Sequence, residues 1–158
     1  MAGKVVMDEQ PSRLGWCLRR RVLPQHTDHA GVMWHGAYVG WLEEARVEAL
    51  AAAGLAYGDL VVRGLELPVV SLTINYRQAL LHGDAVELWS VLEPRQGIRL
   101  RWSSCFIGPT GALAAEARAE LVLLDRSRGP SRHRLLRAFP ADFQAALETL
   151  LRGPEIQG

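Results

Sequence analysis

Val70, Leu72, Ile74 and Tyr76 alternate with Ser71, Thr73, Asn75 and Arg77, a period of two that predicts a strand with one face buried. A less regular alternation runs from Asp84 to Glu93, where Val86, Leu88 and Leu92 oppose Glu87 and Glu93. Ile98, Leu100, Trp102 and Phe106 then oppose Arg99, Arg101, Ser103 and Cys105, with the breaks "RQG" and "GPTG" on either side. Leu113, Ala115, Ala117, Ala119, Leu121 and Leu123 oppose Glu116, Arg118 and Glu120 and predict the last long strand. A first strand with weaker alternation is predicted for Trp16 to Leu23. Short connections between successive strands predict an antiparallel meander.

The period changes between the first strand and the rest. Tyr38, Leu42, Ala45, Ala49 and Ala52 recur at helical spacing and predict one long helix from about His35 to Ala53, stopped by Gly54. Its apolar stripe is rich in alanine, which lets a sheet approach closely, so the economical architecture is a long helix lying in the palm of an antiparallel sheet. A second helix is predicted in "PADFQAALETLLRGP", with Pro140 in its first turn, Phe143, Leu147, Leu150 and Leu151 buried, and Gly153 and Pro154 as its stop. No repeat or linker divides the chain, so one α+β domain is expected over residues 1–158, with its core at about 16–152.

Composition narrows the function classes. The chain has 158 residues, is 49% hydrophobic and 22% charged, and has a formal net charge of +1. That length supports a real core, and the near-neutral balance argues against a dedicated nucleic-acid binder. Cys17 and Cys105 fit neither a CxxC pair nor a disulfide framework, so reduced, buried thiols in a cytoplasmic protein are expected. The stretch "MAGKVVMDEQPSR" lacks the apolar segment of a secretory leader, and no apolar run is long enough to span a bilayer.

The chemistry concentrates in "QHTDHAGVMWHGAYVGWLEEAR", Gln25 to Arg46, which holds His26, Asp28, His29 and His35 just ahead of the long helix. Asp28 offers a carboxylate for general-base or nucleophilic work. A helix start presents unpaired amides and a positive dipole end, so the N–H groups near His35 and Gly36 would polarise a carbonyl oxygen. Gly36 would let a substrate approach closely. The plainer reading makes Asp28 a turn or capping residue, His26 and His29 solvated loop residues, and Glu44 and Arg46 helix-to-sheet contacts. Of the five tryptophans only Trp34 is a candidate pocket wall. As a metal site the cluster is poorly spaced: H-x-x-H with a third histidine six residues on matches no common zinc pattern, and cysteine ligands are absent.

"HTDHAGVMWHGAYVGWLEEARVEAL" resembles the signature of hotdog-fold acyl-CoA thioesterases of the 4-hydroxybenzoyl-CoA thioesterase family, including the Tol-Pal-associated enzymes. Asp28, Gly31, Val32, Trp34, His35, Tyr38, Glu44, Ala45 and Arg46 fall in register with it, over most of residues 16–150. His26 stands where the family's motif has its first acid, while Asp28 keeps the second. The resemblance implies a hotdog fold of about five strands around a long central helix, a homodimer or homotetramer with sites at the subunit interface, and hydrolysis of an aromatic or a short or medium aliphatic acyl-CoA. Asp28 and His35 would be catalytic, and His35, Gly36 and Trp34 would position substrate, with neither cofactor nor metal. The alternatives are a hotdog module that binds acyl-CoA without cleaving it and, behind that, a His/Asp metal protein. A hotdog dehydratase would need a different local motif. Arg95, Arg99 and Arg101 border one hairpin, and Arg126, Arg128, Arg132 and Arg134 follow the last strand. Of these, Arg95, Arg99, Arg126 and Arg128 are the candidates for coenzyme A phosphates.

Overall fold

A computed structural model describes residues 13–155. The stretch read for a leader, and the ends of the expected domain, lie outside the described residues. In chain order the elements are β1 (Trp16–Arg21), α1 (His35–Ala52), α2 (Tyr57–Val62), β2 (Leu65–Glu66), β3 (Val69–Tyr76), β4 (Ala85–Leu92), β5 (Leu100–Ile107), β6 (Leu113–Leu121), β7 (Leu124–Asp125), β8 (Arg134–Leu135) and α3 (Ala141–Arg152). A five-stranded antiparallel sheet runs β1-β4-β5-β6-β3, and β2, β7 and β8 form a small second sheet. The three short strands and α2 carry too few residues for periodicity to announce them.

Only β4, β5 and β6 form the expected meander. β3 pairs with β6 rather than with β4, so between Tyr76 and Ala85 the chain crosses from the β3 edge to the far side of the sheet, where β4 lies between β1 and β5. Strand spacing alone does not reveal which neighbour an edge strand takes. The expected face of β3 is also interrupted at Val70, because the register shifts between Val69 and Ser71. Such a bulge leaves one residue out of the ladder.

The helix-facing side of the sheet is built in rows across the strands. Leu18, Leu88, Phe106, Ala115 and Tyr76 form one row; Leu92, Trp102, Ala119 and Leu72 form another. Between them lie Ser90, Ser104, Ala117 and Ile74. Ser90 and Ser104 are buried, and their hydroxyls bond to each other at 2.7 Å, which satisfies two polar groups in an apolar layer. This small-residue row explains the imperfect alternation of β4, and with Ala45 and Ala49 of α1 buried as well it lets the helix settle close to the sheet.

α1 ends in a Schellman arrangement: the Gly54 N–H bonds to the Ala51 carbonyl and the Leu55 N–H to the Leu50 carbonyl. Ala52, expected in the apolar stripe, is exposed, and Trp41 and Leu50 are buried instead. In α3, Phe143, Ala146, Leu147 and Leu150 are buried while Leu151 is 44% exposed, so the buried face is narrower than expected, and Pro140 caps the helix rather than starting it. No helix among the described residues is long and apolar enough to cross a membrane. Cys17 and Cys105 are both half-buried and both lie opposite Trp89, on strands that flank β4. Two strand spacings, about 9.6 Å, separate them too widely for a disulfide. Burial pushes the Cys17 thiol up, partly offset by Arg19. A sheet curled around one long helix is the hotdog arrangement.

Candidate active site

Residues 26–34 form a miniature ribbon ahead of α1. Thr27 pairs with Met33, the Trp34 N–H donates to the His26 carbonyl at 3.0 Å, and the Asp28 N–H donates to the Val32 carbonyl at 2.8 Å. At the tip, Asp28 Oδ1 accepts from the Ala30 N–H at 2.8 Å and the Val32 N–H at 3.1 Å, the aspartate turn that short acidic side chains favour. Gly31 closes this turn at φ +77°, where other residues would be strained. The ribbon is pinned from outside. The Met33 N–H donates to the Leu80 carbonyl, and the His82 N–H donates to the Gly31 carbonyl.

The result is a carboxylate held by one oxygen. Oδ1 of Asp28 is engaged twice, while Oδ2 takes no hydrogen bond from the described residues and the side chain is exposed. The amides of His35 and Gly36 begin α1 and find no acceptor among the described residues. The Asp28 carboxylate and the amides at the start of α1 therefore sit on a single short segment, with the backbone fixing each.

Gly36 has a different use from the one expected. A Cβ at this position would overlap the Cη2, Cζ3 and Cζ2 atoms of Trp34, so the space beside the backbone holds the indole. Trp34 remains 46% exposed and meets the His35 ring edge-on at 5.2 Å, as a wall beside the helix start. His35 itself is exposed. His26 is not a solvated loop residue. It is half-buried, its Nδ1 accepts from the Leu23 N–H at 3.0 Å, and its ring stands edge-on to Trp41. Among the described residues no three His, Cys, Asp or Glu side chains are grouped to hold a metal ion.

Further along α1 the motif residues separate. Glu44 pairs with Arg20 of β1, the helix-to-sheet contact expected of it. Arg46 makes no such contact among the described residues; it lines a cavity together with Glu43. Burial lowers the Arg46 guanidinium from its ordinary value, and Glu43 partly restores it. Tyr38 is pushed up to about 12, by burial first and then by Tyr76, so its phenol stays protonated and supplies no base.

The arginines are mostly occupied. Arg95 bonds to the Gly97 and Arg137 carbonyls and lies 3.9 Å from the Phe139 ring centroid, strapping the β4–β5 hairpin to the segment before α3. Arg99 and Arg101 share Glu120, whose carboxyl the Arg99 hydrogen bond holds below its usual range. Arg126 lies 3.1 Å from Glu66, and Arg134 lies 3.5 Å from Asp125. Arg128 is exposed and makes no ion pair within 4.0 Å among the described residues. The signal that sequence reading missed is Leu80 to His82, a stretch without periodicity that anchors the Asp28 ribbon from a distant point in the chain.

Known proteins place this arrangement. A Synechocystis protein named "Putative esterase sll0410" is 40% identical over 116 residues, which cover 73% of this chain and 70% of that one. The "Acyl-CoA thioester hydrolase YbgC" of Escherichia coli O6:H1 is 26% identical over 105 residues, 66% of this chain and 78% of its own. In fold the chain is similar to a DHNA-CoA thioesterase from Staphylococcus aureus, with a TM-score of 0.74 at 23% identity over 84% of this chain and 88% of that one. The family model described as the thioesterase-like superfamily matches residues 22–147, a span that contains the Asp28 ribbon, α1 and the whole five-stranded sheet except β1, and the chain belongs to that superfamily.

Proposed function

We propose that the protein is an acyl-CoA thioesterase in which Asp28 does the chemistry. The observation that carries this reading is the half-engaged carboxylate: Oδ1 is fixed by two amides and Oδ2 is left for the reaction. Oδ2 either attacks the thioester carbon, giving an acyl-enzyme anhydride that water opens, or takes a proton from the water that attacks. The His35 and Gly36 amides stabilise the negative oxygen that develops, Trp34 walls the acyl group, and the products are a carboxylate and coenzyme A. The test is thiol release from a panel of aromatic and aliphatic acyl-CoAs, followed with a thiol-reactive dye. Tight acyl-CoA binding with no thiol released would favour a non-hydrolysing binding module. No metal is required by this chemistry, so EDTA should leave the rate unchanged.

The working unit is a homodimer or a larger even assembly. Support comes from β3, an edge strand on which Val69, Leu72 and Tyr76 are 41%, 37% and 52% exposed. An unpaired apolar edge invites a second strand, and a two-fold axis would pair it with its own copy. Light scattering at micromolar concentration should find a dimer or tetramer, and a monomer would refute this. We read the chain as one domain and place it in the cytoplasm, since its cysteines are too far apart to pair.

Arg128 is a candidate for a coenzyme phosphate, because its guanidinium is exposed and makes no ion pair within 4.0 Å among the described residues, acting on Asp125 only from farther off. Arg128→Gln should raise KM for an acyl-CoA by roughly two- to tenfold while leaving the corresponding acyl-pantetheine unaffected. Equal effects on both substrates would remove it from that role.

A further inference from the structure

Asp28 and the first amides of α1 belong to one loop of chain, and His26 stands where the two ends of that loop meet. After β1 the chain passes Val22, turns through a single 3₁₀ turn at Pro24–His26 and enters the ribbon. Asp28 follows two residues later, at the tip. On the return the Trp34 N–H donates to the His26 carbonyl at 3.0 Å, and His35 and Gly36 come next. A change of angle at this base would alter the separation between the carboxylate and the amides, on which attack at a bound thioester depends.

His26 fixes the base through several groups. Its N–H donates to the Leu23 carbonyl at 2.9 Å, and its Nδ1 accepts from the Leu23 N–H at 3.0 Å. Among the described residues that N–H has no other acceptor. Thr27 adds two bonds to the Pro24 carbonyl, from its N–H at 3.1 Å and from its Oγ1 at 2.8 Å. The imidazole also lies edge-on to the buried Trp41 with ring centroids 5.2 Å apart, so the turn is keyed to the helix that carries the amides. A ring nitrogen that accepts a hydrogen bond carries no proton, which assigns the His26 proton to Nε2. A carboxylate at position 26 could take the same N–H. The imidazole does so in its place.

We infer that His26 is a positioning residue: through its Nδ1 acceptor it holds the base of the ribbon and so sets the separation of Asp28 from the His35 and Gly36 amides. The inference rests on the acyl-CoA reading above and adds a residue that acts through the backbone without touching the substrate.

Two substitutions divide what the ring does. His26→Asn places Oδ1 as many bonds from the backbone as Nδ1 and drops the ring, whereas His26→Phe keeps a ring against Trp41 and drops the acceptor. The Asn variant should retain kcat within about threefold and the Phe variant should lose about tenfold or more at nearly unchanged KM, since a misplacement of about 1 Å is enough to cost on the order of 10²-fold. Native-state hydrogen exchange reads the ribbon without turnover: the Trp34 amide should exchange about tenfold faster or more in the Phe variant, and near the wild-type rate in the Asn variant. In the wild type, ¹⁵N NMR should find Nδ1 of His26 without a proton. A Phe variant with wild-type kcat or wild-type Trp34 exchange, equal losses of kcat in the two variants, or a proton on Nδ1 overturns the inference. If the Phe variant does not fold, the wild-type tautomer and the Trp34 exchange of the Asn variant decide. Absence of cleavage by the wild type for every thioester would refute the catalytic reading of Asp28, while the exchange comparison would still decide what His26 holds.

Discussion

Replacing Asp28 with asparagine will lower kcat by roughly 10²- to 10⁴-fold, the loss expected when a positioned base or nucleophile is removed, and will leave the fold intact. The substitution is unusually clean at this position. The amide oxygen of Asn accepts hydrogen bonds as Oδ1 does, so the bonds from the Ala30 and Val32 amides survive, and Asn is itself a good turn residue. What changes is the other oxygen, which becomes an uncharged NH₂ group. Stability should move by no more than about 1 kcal/mol, read from thermal unfolding of the same sample. His35→Ala should cost less activity, because the backbone amide proposed to polarise the carbonyl is untouched. An Asp28→Asn protein that is folded and fully active would show that the aspartate serves only the turn. Glu44 would then be a poor substitute, since it is already paired with Arg20.

Phe106→Ala should have the largest effect on stability. Phe106 is fully buried and stands edge-on to Tyr38 with ring centroids 5.0 Å apart; Tyr38 in turn stands edge-on to Tyr76 at 5.0 Å. This aromatic ladder ties the first turns of α1, and with them the His35 and Gly36 amides, to the middle of the sheet. Truncating a buried phenylalanine costs about 3–5 kcal/mol, a large share of the 5–15 kcal/mol typical of a domain, so Tm should fall by about 10 °C. Tyr76→Ala removes the outer ring of the ladder, which is half exposed, and should cost only about 1 kcal/mol. Equal losses for the two substitutions would mean that burial does not set the ranking.

The long alternations and the long helix were legible because periodicity reports burial directly: β5, β6 and α1 emerge within a few residues of their expected limits. Sheet order was not legible, since β3 reads the same whether it pairs with β4 or β6. The candidate site was read as a motif on Asp28, His35 and Gly36, whose neighbourhood is local in sequence. Its environment was not. Trp34 over Gly36, Leu80 and His82 beneath the ribbon, and Glu66 beside Arg126 are all contacts made in space, and no spacing along the chain encodes which arginine finds an acid. Leu151 shows the converse error, a hydrophobic residue at nearly the right helical angle that stays 44% exposed.

The anchoring of the Asp28 ribbon to Leu80 and His82, and of β1 to β4 with Trp16 opposite Ser90, separates the order of synthesis from the order of assembly. During translation β1 and the ribbon leave the ribosome before their partners, which follow some fifty to seventy residues later in the chain. The β4–β5–β6 meander closes through short loops and can fold as soon as it is made. The segment that carries Asp28 is thus synthesised before the strands and loop that hold it and acquires its shape only after them. Until Leu80 to Leu92 have emerged, β1 is an unpaired strand, and a nascent chain stalled before that point has no site.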